Sequence, residues 1–192
     1  MDLLKKCALG FNILLKHKYH FILGRKGKIK EFTISFDKSD FHHLAGLHKL
    51  KDNAKVQYGK RADIFDSILT GEITLEQIQK SEFYNKMENR IEPLCCLEEM
   101  LDNNNLIFHY NEKVNQYSVI KADYLLENRY FDESVFLFLG ARGEDGKEQM
   151  CRTFFPKQEI DYTQGQAKYT LLKKEKINCE THEVEVQYNR LM

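Results

Sequence analysis

The chain has 192 residues, 42% hydrophobic and 30% charged, with a formal net charge of zero. That length can bury a real core in one domain, and the composition is that of an ordinary globular protein, not a disordered or fibrous one. Only two prolines, no Gly- or Ser-rich tract and no apolar run near the roughly 20 residues of a membrane helix exclude a long linker and a hydrophobic span.

Residues 2–17 read as an amphipathic helix, with Leu3, Leu4, Phe11, Leu14 and Leu15 as apolar positions. Asp2, Lys5 and Lys6 and the lack of a small-residue cleavage site set it apart from a signal peptide, so the expected location is the cytoplasm. Residues 19–23 and 29–36 read as two strands of a hairpin turning at Gly24-Arg25-Lys26-Gly27. A helix then starts at the cap Asp37 or Ser39 and runs to about residue 50. Residues 62–69 and 74–80 read as helices, the first stopped by Gly71, the second opened by the capping-box pair Thr74 and Gln77. Residues 83–102 read as a long helix broken near Glu92 by Pro93. After the loop at 103–105 the pattern changes to strands: 106–110, 117–124, 135–141, 149–155, 169–173 and a last one near Val184 and Val186. Fold class is therefore α+β, a single domain over 1–192. Residues 1–103 are mostly helical with an early hairpin, and 104–192 are an antiparallel meander.

Five cysteines at irregular spacing, with no CxxC, argue against a disulfide framework and a cysteine zinc site. Charge is unevenly spread. Residues 1–60 carry 13 Lys/Arg against 5 Asp/Glu, and residues 61–110 carry 4 against 10. A basic third can present a phosphate-binding cleft even when the sum is zero; the plainer reading of Arg25, Lys26, Lys28 and Lys30 is a solvated hairpin.

The densest concentration of chemistry is Phe41-His42-His43-Leu44-Ala45-Gly46-Leu47-His48-Lys49-Leu50. Phe41, Leu44 and Leu47 share a core-facing stripe, and His42 and His43 fall near the helix N-terminus, where the dipole favours neutral imidazole. On a continuous helix His43 and His48 point about 140° apart, so no metal is expected unless Gly46 breaks the helix. Acid–base work needs only one or two of these histidines; the alternative is half-buried histidines on an amphipathic helix. Arg142 and Arg152 flank a hairpin and either clamp a phosphate or join a cross-strand charge network with Glu148. Phe154 and Phe155 alternate faces, so at most one can be a stacking platform. Tyr58 follows closely behind the histidines and is a candidate substrate-binding residue.

A strand, then the Phe41–Leu50 run, then Arg152-Thr153-Phe154-Phe155-Pro156, resembles the fourth class of the phage Barnase/EndoU/colicin/RelE-like nucleases. This family is associated with phages and mobile elements. The resemblance covers roughly residues 19–172. It implies N-terminal helices packed on an antiparallel β-sheet of about four strands and a metal-independent ribonuclease with no cofactor. The RNA 2′-hydroxyl would attack, with histidine as acid and base. The expected reading is a phage- or prophage-derived ribonuclease-like toxin or effector, with RNA and a cognate inhibitor protein as expected partners. On this chain His43 is the expected base and His42 or His48 the acid. Lys49, Arg142 and Arg152 would bind phosphate, with Thr153 hydrogen-bonding it. The rival is a non-catalytic interaction module that keeps the nuclease fold, which zero net charge favours because RNA binders are usually basic.

Overall fold

A computed structural model describes residues 1–103, 105–115 and 118–191. It has mixed helices and one nine-stranded sheet, an α+β fold. Helix α1 (Leu3–Leu14) starts where the Asp2 carboxylate accepts the Lys5 N–H, and buries Leu4, Cys7, Ala8, Phe11 and Leu14 on one face. The other oxygen of Asp2 accepts the N–H of Leu75, at the start of α5 (Leu75–Gln79), so one side chain secures two helix N-termini. Phe11 then meets Phe36, Phe41 and Phe65 edge-on at 5.5–6.0 Å, an aromatic knot that ties α1 to α2 (Lys38–Leu44) and α4 (Arg61–Thr70). Between the last two lies α3 (Ala54–Tyr58).

The sheet comprises β1 (His17–Arg25), β2 (Lys28–Ile34), β3 (Leu106–His109), β4 (Tyr124–Tyr130), β5 (Glu133–Ala141), β6 (Glu148–Pro156), β7 (Ala167–Lys168), β8 (Thr170–Asn178) and β9 (Val184–Asn189). Their order is β7-β3-β4-β5-β6-β2-β1-β8-β9. The β1–β2 turn is Lys26-Gly27, both at positive φ, the geometry that matches strand twist in a two-residue hairpin. Every pairing is antiparallel except β2 with β6, which run parallel and pair over Thr33–Glu148 and Ile34–Gln149. This corrects the purely antiparallel expectation. The early hairpin is not an appendage to the helical half but the middle of the sheet, flanked by strands from the chain's end.

Several expected elements end elsewhere. The long helix over 83–102 is a 3₁₀ turn, then α6 (Glu88–Leu94) and α7 (Leu97–Asp102). Pro93 lies in the last turn of α6, where it lacks the N–H that would bond back along the helix, and the break follows it at Cys95-Cys96. Residues 118–123 form no strand, which instead begins at Tyr124; Tyr117 and Asn104 lie outside the described residues. Cys7 and Cys95 are joined in a disulfide between α1 and the end of α6, a single bridge that the irregular cysteine spacing did not suggest. No helix among the described residues is long and apolar enough to cross a membrane.

Strand β5 explains how the site is seated. Its apolar run is buried on both faces: Val135, Leu137 and Leu139 enter the helix-covered core. Phe136 and Phe138 enter a second core with Tyr110 and Leu125, covered by Ile120, Ala122, Phe155 and Tyr162. Strand β6 lies beside it, and α2 and α6 pack on β6.

Candidate active site

The histidine stretch folds more tightly than its pattern predicts. Asp37 accepts the N–H of Ser39, and Asp40 accepts the N–H of Asp37, so α2 is capped as its residues predict. The helix then stops at Leu44, because Gly46 adopts φ +76°. A Cβ at Gly46 would sit 2.9 Å from the Cβ of Met87, so only glycine fits both the dihedral and the space. Residues Leu47–Lys49 turn back as a 3₁₀ segment. This reversal places the His43 and His48 rings 4.7 Å apart between centroids, with His42 at 5.9 Å from His43.

His42 and His43 therefore stand in the last turn of α2, not near its N-terminus. The dipole there favours imidazolium, so the helix cannot be what keeps these rings neutral. Burial does so, with the help of neighbouring cations. His43 is pushed down to about 4 by burial, then by the charges of Arg61, Arg152 and Arg90, and by His42 if that ring is protonated. His48 falls to about 4 by burial and by His43, Arg90 and Lys49. His42 is 2% exposed and donates Nε2–H to the Val56 carbonyl at 2.8 Å, leaving a buried Nδ1 without a partner. It braces the turn, and His43 is the more accessible of that pair.

Two arginines close the cluster. Arg152 is the extra residue of a β-bulge: Thr153 pairs with Phe138 and Cys151 with Leu139, leaving Arg152 opposite neither. Bulges re-aim side chains in this way. The guanidinium lies across Gly140, where a Cβ would come within 2.6 Å of Nε. Arg90, from α6, is only 6% exposed; its Nη1 donates to Thr153 Oγ1 at 3.3 Å, and its guanidinium carbon is 5.4 Å from the Phe155 ring centroid. Burial lowers it to about 10. Lys49 is lowered to about 8 by burial and by Arg90 and Lys86, and its Nζ donates to the Lys86 carbonyl. Among the described residues none of Lys49, Arg61, Lys86, Arg90 and Arg152 forms an ion pair with a carboxylate. Cations held together without counter-charges favour an anion in the space between them.

The other expected residues lie apart. Arg142 donates to the Asp40 carboxylate at 2.6 Å and to the Ser35 carbonyl, tying α2 to the end of β5, so its charge is compensated inside the fold and not offered to a phosphate. Tyr58 is 79% exposed at the end of α3. The Gly46 break does bring three imidazoles near one another, the condition set for a metal. Among the described residues, however, no three His, Cys, Asp or Glu side chains converge on a metal position. The orientation of His42 and the surrounding cations both work against a dication.

Arg90 and Lys86 were missed from the sequence. A signal existed for Arg90: with Met87 and Leu94 at helical spacing it sits on the apolar stripe of its helix, an unusual place for a cation.

Set against known protein families, the chain matches one described as phage-Barnase-EndoU-ColicinE5/D-RelE like nuclease4 over residues 3–191. Neither the curated proteins nor the solved structures yielded a match.

Proposed function

The chain belongs to the phage-Barnase-EndoU-ColicinE5/D-RelE like nuclease4 family, and from that premise we propose that the histidine–arginine cluster is a metal-independent RNA-cleaving centre. The observation that carries this reading is the pair His43 and His48, 4.7 Å apart, with Arg90 acting on both rings, Arg152 on His43 and Lys49 on His48, none of the three cations having a carboxylate partner among the described residues. A phosphodiester supplies the missing negative charge.

His43 is the base: it is neutral at pH 7 and only partly buried, and takes the proton of the RNA 2′-hydroxyl. The 2′-oxygen bonds to phosphorus, the bond from phosphorus to the 5′-oxygen breaks, and a 2′,3′-cyclic phosphate is left. Lys49, protonated at pH 7 with its pKa near 8, is better suited than His42 or His48 to return a proton to the leaving 5′-oxygen. Arg90 and Arg152 stabilise the charge that builds on the phosphorane, and Thr153, bonded to Arg90, sets the direction of that guanidinium. RNA is thus the proposed substrate, in a single nuclease domain of phage or mobile-element origin.

Binding tests this directly. The affinity of the intact protein for a single-stranded RNA should fall steeply with salt. Three phosphate-contacting cations predict a log–log slope of about −2. Arg152→Ala should make it shallower by roughly one contact. Binding that is indifferent to salt would favour the interaction-module reading instead.

A further inference from the structure

Beside the cluster lies a recess that shares Lys49 and Arg90 with the cleavage chemistry but whose far side that chemistry does not use. A cavity of about 260 Å³ has Lys49, Lys86 and Arg90 on one side and Phe155, Gln158 and Tyr162 on the other. The last three also line a neighbouring cavity of about 360 Å³, completed by Glu159 and Ile160 of the loop between β6 and β7, so the two cavities adjoin. One end is cationic and abuts the histidine turn; the other is aromatic with an amide and a phenol.

The aromatic end is rigid. Phe155 stacks on Phe138 at 5.6 Å and 23°, and Tyr162 stands edge-on to both Phe138 and Phe155, at 5.4 and 5.7 Å. The loop is held in place as well. Lys157 pairs with Asp161 at 2.6 Å, and Asp161 accepts from the backbone N–H and hydroxyl of Thr163. Gln158 is exposed at the mouth of the recess and Tyr162 is half-buried, and neither side chain makes a hydrogen bond to another described residue. Aromatic surface held next to free donors and acceptors is what a nucleobase requires; a bare phosphate would use only the cationic end.

We infer that this recess is a base-binding subsite, which takes the nucleobase beside the phosphate held by Lys49 and Arg90. The base packs against the Phe155–Tyr162 edge, and its hydrogen-bonding edge is read by Gln158 and the Tyr162 hydroxyl. A base can enter only when it is unstacked, so the ligand is single-stranded. The inference names the substrate class for the proposed cleavage site and rests on that reading for its chemistry, but not for binding.

The test is titration of the full chain with inorganic phosphate and with the 3′-monophosphates of the four ribonucleosides, followed by amide chemical shifts, for the native protein, Gln158→Ala and Tyr162→Phe. At least one nucleotide should bind about tenfold tighter than phosphate, as stacking on aromatic side chains supplies. Gln158→Ala should flatten the ranking of bases while phosphate affinity stays unchanged. Nucleotides that bind no tighter than phosphate overturn the subsite and leave the anion site standing. A base ranking unchanged in both variants overturns the assigned readers. If neither phosphate nor any nucleotide binds, both the subsite and the anion site fall.

Discussion

His43, His48 and Lys49 have pKa values set by where they are buried and by which cations surround them. With His43 near 4 and Lys49 near 8, base and acid are both in their working states over the interval between. The sign follows directly: the base must be unprotonated, so kcat/KM rises as pH passes 4; the acid must be protonated, so it falls as pH passes 8. A profile of RNA cleavage from pH 3.5 to 9.5 should show that broad bell. A single rise centred near 6.5, the value of an unperturbed histidine, would remove the burial argument. The histidines were legible as chemistry in the sequence, but the reason for their neutrality was not. That reason lies first in burial by the tertiary fold and then in the charges of Arg61, Arg90 and Arg152, none of which is adjacent in the chain. The two arginines of the β5–β6 hairpin separate in the same way. Arg142 faces a carboxylate that is 1% exposed, whereas the exposed Arg152 lies across Gly140, donates to the Ala141 carbonyl and lowers His43 through its charge. Removing one partner of such a buried pair costs about 3 kcal/mol or more. Arg142→Ala should therefore lower the melting temperature more than Arg152→Ala does, and Arg152→Ala should lose more cleavage. Equal melting losses, with equal activity, would show that the two residues are interchangeable.

At the scale of elements, a glycine and a bulge assemble the site. Gly46 ends α2 six residues earlier than its apolar spacing suggests, and the 3₁₀ turn that follows returns His48 to His43. The apolar stripe itself was read correctly, since Phe41, Leu44 and Leu47 are all buried. Periodicity could not reveal the stop, because a glycine inside a helical pattern can be either tolerated or a terminator, and the clash with Met87 that decides it is long-range. Gly46→Ala should therefore be severe out of proportion to its size. The left-handed dihedral alone costs roughly 1–2 kcal/mol, and the added methyl presses on Met87 and on Arg90. The expected outcome is a lower melting temperature together with loss of RNA cleavage. A variant with native melting and native cleavage would mean that the turn does not set the site. The bulge at Arg152 was equally hidden, because it is defined by the register of β5 against β6 and by no residue type in β6.

Over the whole molecule, the sheet gathers charge that the sequence scatters. The basic first sixty residues suggested a cationic cleft, yet of the five cations at or beside the cluster only Lys49 comes from that stretch. Arg61, Lys86 and Arg90 come from the acidic middle segment, and Arg152 from near the end. Net charge was therefore a poor guide to the site, and the α+β pattern a better guide to the fold. The strands near the chain ends were legible as strands. Their joining into nine was not, because β2 meets β6 through only two residue pairs and β1 meets β8 across more than a hundred residues of sequence. Such pairings leave no local mark. The central claim, that this gathered cluster cleaves RNA without a metal, is tested most directly by cleavage of a mixed single-stranded RNA pool in EDTA, by the native protein and by His43→Ala, with thermal melts of both. The native protein should cleave and leave 2′,3′-cyclic phosphate ends. His43→Ala should melt normally and cleave about 100-fold to 10,000-fold more slowly. Cleavage by the variant at the native rate, or native activity that vanishes in EDTA and returns with zinc or magnesium, would contradict it.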